Sequence, residues 1–77
     1  MNIKTLDNLY RDTEDYKNMT SYRACERAEG FGEGEGACED EILTAWQWLH
    51  DKKVAYSLQG FYGRTAQSLI EQGAISQ

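Results

Sequence analysis

Proline is absent from the chain, and no stretch approaches the roughly 18 consecutive apolar residues that a membrane-spanning helix needs. Two cysteines cannot build a disulfide framework. Nowhere do lysines and arginines gather as the neutralisation of nucleic-acid phosphates requires, so direct nucleic-acid binding is disfavoured. The opening MNIKTLDNLYRD is polar and mixed in charge, and no cleaved leader is expected from it. At 77 residues the chain has room for one small domain, which buries only about 60% of its unfolded surface. Two-domain architectures, barrels and most pocketed enzymes do not fit that scale. The 40% hydrophobic and 27% charged content nevertheless lies in the globular range. The expectation is a single domain over residues 1–77, in the cytoplasm and away from membranes.

What the chain has in excess is acid, with thirteen carboxylates against eight basic side chains and a net charge of −5. The excess is local. Residues 1–29 are nearly neutral, and residues 52–77 carry Lys52, Lys53 and Arg64 against Glu71 alone. Between them Glu33, Glu35, Glu39, Asp40, Glu41 and Asp51 stand without a single Lys or Arg. A block of one sign is a solvated face or a docking surface for a basic partner.

Glycine supplies the punctuation that proline does not. GFGEGEG, residues 30–36, has glycine at every second position, and each would cost a helix about 1 kcal/mol against alanine. A flexible Gly/Glu loop over 30–37 is therefore expected, dividing a polar N-terminal part from a helical core over 38–75. In EDEILTAWQWLHD the residues Ile42, Ala45, Trp46 and Leu49 make one helical stripe. Its first turn holds Glu39, Asp40 and Glu41, and its end holds His50, Lys52 and Lys53, as the helix dipole favours. Upstream, the spacing predicts a short helix near 3–11 and another near 19–29 capped by Thr20 or Ser21. Residues 1–18 read as an arm whose order the sequence leaves open. Downstream, VAYSLQ (54–59) reads as helix ended by Gly60, and a last helix runs from Thr65 to Gln72, capped by Thr65 or Gly63. The fold class is a small all-α bundle of three to four short helices with a Gly-rich acidic loop.

Few residues point to chemistry. GFGEGEG interleaves glutamates with its glycines and follows a helix, which does not suit a phosphate cradle, and its spacing fails as an EF-hand. Cys25, Cys38 and His50 lack the paired spacing of a structural zinc site. His50 has no nucleophile at a supporting spacing. No catalytic residue, metal or cofactor is expected, and the chain is not read as an enzyme. Trp48 lies off the apolar stripe, on the face of Glu41, Thr44 and Asp51, where it would suit an interface anchor. In GFYGRT, Gly63, Arg64 and Thr65 would sit at a helix start and could receive an anion, with Tyr56, Phe61 or Tyr62 stacking on it. The competing role for Arg64 is an internal pair with Asp51 or Glu41.

The string LQGFYGRTA followed by LIEQG, within AWQWLHDKKVAYSLQGFYGRTAQSLIEQGAI, resembles a family of small bacteriophage-encoded proteins. Members share a core like L-Q-G-x-Y-G-R-T-A-x-x-L-I-E-x-G. The likeness covers residues 45–75. It departs at Lys52 and Lys53, where the family tends to small turn residues, and in the glycine–acid insertion. The resemblance implies a phage accessory product working in a bacterial cytoplasm, and proteins of that kind often bind and inhibit a host protein. The leading expectation is thus an acidic host-takeover or anti-defence inhibitor that meets a basic host surface through Glu33, Glu35, Glu39, Asp40, Glu41, Trp48 and Asp51. The alternatives are a nucleotide-like anion at Gly63, Arg64 and Thr65 with Tyr56 and Tyr62, or a helix-turn-helix over 54–72. Self-association into a homo-oligomer is compatible with so small a core.

Overall fold

A computed structural model describes residues 10–58 and 60–77, with the side chain of Glu33 left aside. Every regular element among them is helical: α1 (Glu14–Lys17), α2 (Ser21–Glu29), α3 (Glu39–Asp51) and α4 (Gly60–Glu71), with 3-10 turns at Gly32–Gly34 and Val54–Tyr56. The all-α class is as expected. The helix read near 3–11 falls mainly outside the described residues, and Tyr10 and Arg11 lie in a turn.

Local chemistry fixes most boundaries. The Thr13 hydroxyl accepts from the Tyr16 amide at 3.0 Å, and the Thr20 hydroxyl accepts from the Arg23 amide at 3.2 Å, so each starts a helix. α2 stops at Gly30, which adopts the left-handed conformation (φ 77°) and donates its amide to the Glu26 carbonyl. The Glu41 carboxylate reaches back to the Cys38 amide at 3.0 Å and closes the start of α3.

α3 is the central element, and α1, α2, α4 and the Val54–Tyr56 turn all pack on it. Ala45, Trp46 and Leu49 are buried as the stripe requires and Ile42 is half-buried. Thr44, Gln47 and His50 are buried as well, so the helix is covered well beyond one stripe. Around it the core adds Met19, Ala24, Ala55, Tyr62, Ala66 and Ile75. Four of these nine residues are alanines. Small side chains thus make up much of the core, and bulk comes from Met19, Leu49, Ile75 and the Trp46–Tyr62 ring pair, whose centroids lie 5.5 Å apart.

Two expectations need correcting. The Gly/Glu segment is not a free connector: it folds into the 3-10 turn and lies against α2, with Gly34 buried. A Cβ on Gly34 would come within 2.1 Å of the Glu26 carbonyl oxygen, so only glycine fits. Nor do residues 54–58, the described part of the 54–59 stretch, form the expected α-helix. Lys53 takes φ 64°, one 3-10 turn follows, and the last helix begins at Gly60 instead of Thr65. Two glycines inside α4 disfavour helix by about 1 kcal/mol each. Burial of Tyr62 and Ala66 offsets that cost, and the Tyr56 ring packs where a Gly63 side chain would be, 3.3 Å from an ideal Cβ.

Candidate functional site

The two ends of α3 use their carboxylates in opposite ways. At the C-terminal end Asp51 is the centre of a polar knot. Arg11 grips it with two bonds of 2.7 Å from Nε and Nη2, and the Tyr16 hydroxyl donates at 2.6 Å. Gln47, one turn earlier on the helix, donates from Nε2 at 3.0 Å. The same Gln47 amide exchanges bonds of 2.8 and 2.7 Å with the backbone of Ser76. Residues 10–17 and the C-terminal tail are thus tied to one turn of α3. Burial alone would push the Asp51 carboxyl up, but the bonds from Arg11, Tyr16 and Gln47 outweigh it and hold the group below its usual range. Burial, then the bond to Asp51, pushes the Tyr16 hydroxyl up to about 12. Asp51 is therefore occupied internally, and its cation is Arg11 instead of the Arg64 that the sequence offered.

Beside the knot, the Gln67 amide donates to the Tyr56 hydroxyl at 2.8 Å, and that hydroxyl lies 2.6 Å from His50 Nδ1. Burial lowers the His50 pKa; Lys53 and Arg11 add to this, against the opposing Asp51 charge. His50 closes the end of α3 and holds Tyr56.

At the N-terminal end the charges face water. Glu35, Glu39 and Asp40 are exposed, and none forms an ion pair among the described residues. Glu33 belongs to the adjoining 3-10 turn, and the half-buried Glu41 is committed to the Cys38 amide. Tyr10 leans over this end, and its hydroxyl pKa is raised by burial and then by the Asp40 and Glu39 charges. A pocket of about 200 Å³ opens between Tyr10, Thr13, Asp40 and Thr44. The Thr44 hydroxyl is turned inward to the Asp40 carbonyl at 2.7 Å, and the exposed Asp40 and Glu39 bring negative charge to bear on Tyr10. An aromatic wall with a carboxylate beside it suits a cationic side chain.

Of the remaining sequence candidates, Trp48 is half-buried and packs against the core. Tyr62 is buried, packs at a tilt against the Trp46 ring and donates to Glu29. Gly63 is covered by Tyr56, and Gly63, Arg64 and Thr65 lie inside α4, not at its start. Their amides are therefore not grouped at the helix N-terminus as the anion reading required. The 3-10 turn at 54–56 likewise leaves no first helix for a helix-turn-helix over 54–72. The Asp51 knot escaped the sequence; its one local sign was Gln47 and Asp51 four residues apart on a helix otherwise rich in apolar side chains. Among the described residues no three His, Cys, Asp or Glu side chains gather to hold a metal ion, and no helix is long and apolar enough to cross a membrane. No protein-family model, curated protein or solved structure matches the chain.

Proposed function

We propose that the chain is a phage-encoded accessory protein that binds and inhibits a bacterial host protein, in the host cytoplasm, through the acidic end of α3. The observation that carries this reading is the Tyr10–Asp40 pocket, which lies within the field of the exposed Glu39 as well as Asp40. A lysine or arginine on the partner enters the pocket against the Tyr10 ring and the Asp40 carboxylate, while Glu35 and Glu39 steer its approach. Glu41 and Asp51 act indirectly: one caps the helix that presents the surface, the other fixes the segment that carries Tyr10. The phage and host elements rest on the resemblance over residues 45–75.

The test is capture from a bacterial lysate at low salt on the immobilised protein. A Glu35→Lys/Glu39→Lys/Asp40→Lys variant, with Glu41 kept so that α3 stays capped, is the control. One host protein is expected on the parent and absent from the variant. Equal capture by both would remove the proposal.

A further inference from the structure

A second face of the molecule, on α4, carries the opposite charge. Phe61 and Arg64 are three residues apart on the helix and therefore neighbours. On the other side of Arg64, the Tyr56 ring lies against Gly63 and bonds to Gln67 one turn further on. The exposed Arg64 thus shares a face of α4 with Phe61 and Tyr56, residues 40% and 41% exposed, with Leu58 (40%) just before the helix; the Phe61 ring itself lies against Tyr62, centroids 4.5 Å apart. In an acid-rich chain Arg64 has no ion pair among the described residues, because Asp51 is held by Arg11 and Glu41 by the Cys38 amide. Lys52 and Lys53 are exposed too, and Glu71 is the one carboxylate between residues 52 and 77. Arginine flanked by aromatics is the composition of interface anchors. The surface that complements it is on the same chain: the exposed Glu35, Glu39 and Asp40, with Phe31 (43% exposed) in the loop before them.

We infer that the Tyr56–Phe61–Arg64 face docks on the acidic end of α3 of a second copy, head to tail. Opposite charges select the pairing, and the exposed rings supply the apolar area that so short a chain cannot bury alone. The contact is heterologous, so it adds copies beyond a dimer unless a ring closes. It does not rest on the host-binding reading, although copies and host protein would compete for the acidic end.

Sedimentation equilibrium over a concentration series tests it on the full chain. The parent is expected to exceed the monomer mass of 8.8 kDa as concentration rises in low salt, and to return to it in high salt. Arg64→Glu should lower the association constant about tenfold or more, and Phe61→Ser should weaken it too; both positions are exposed, and a urea midpoint confirms the fold. Glu39→Arg/Asp40→Arg should also stay monomeric, yet associate when mixed with Arg64→Glu, since each then supplies the face the other lacks. A parent that is monomeric throughout, or association indifferent to Arg64→Glu, overturns the inference. So does a monomeric parent that binds an oligo-glutamate peptide through Arg64, because the occupant would then be a foreign acidic chain.

Discussion

Asp51 and Asp40 stand eleven residues apart on one helix, in one acidic block, and have opposite fates. Asp51 is surrounded by four donors from three side chains and joins the N-terminal segment to the C-terminal tail. Asp40 lies on the surface, with water and a pocket beside it. The difference teaches that a run of like charge is not a functional unit. A carboxylate met by a guanidinium, a phenol and an amide becomes structure, and those left over define what a partner can reach.

The largest effect that would sharpen this contrast is loss of the knot. Asp51→Ala removes the shared acceptor of half-buried Arg11 and Tyr16 and of buried Gln47, leaving Gln47 and Arg11 only backbone acceptors in the C-terminal tail, and should cost about 2–4 kcal/mol in urea unfolding. A change below half a kcal/mol would place Asp51 with the surface carboxylates. Next, Gly34→Ala drives a Cβ into the backbone of α2 and should cost about 1–3 kcal/mol. That result would show the glycine loop presenting Glu35 as a fixed surface. Lys53→Gly relieves a left-handed residue and should raise stability by about 1 kcal/mol, read as a higher unfolding midpoint. Smallest of all, Glu39→Gln with Asp40→Asn removes only exposed charge near a helix start and should move stability by about 1 kcal/mol or less.

Acid should weaken the two ends unequally. His50 has its pKa lowered from 6.5 in the folded chain, so the unfolded chain takes up that proton first and stability declines as pH falls below that value. Asp51 is also lowered, from 3.8; its contribution is complete above that value and is lost as pH falls through the lower folded one. Both steps belong to the C-terminal end of α3. His50→Gln should abolish the first decline and leave the second, in urea midpoints measured across the acid range.

Much of this was legible beforehand. The charges at both ends of EDEILTAWQWLHD and the Ile42–Leu49 stripe located α3, and Thr20 and Gly30 located α2, because those signals are local. The knot was not legible, since Arg11 and Asp51 are forty residues apart and no periodicity links them. Nor was the start of α4: Gly60 and Gly63 read as breaks, and only the packing of Tyr56, Tyr62 and Ala66 makes them helical. At the candidate site, the exposed Glu39 and Asp40 followed from the sequence, but the Tyr10 wall depended on a tertiary contact.

The central claim is that the acidic end of α3 binds and the Asp51 end holds the fold. Its most direct test measures host-protein capture and the urea midpoint together on the Glu35→Lys/Glu39→Lys/Asp40→Lys variant and on Asp51→Ala. The account predicts that the first stays folded and loses capture, while the second loses stability and, where it is folded, still captures, more weakly because Tyr10 is less firmly placed. Capture that survives the triple reversal, or that disappears from folded Asp51→Ala, would contradict it.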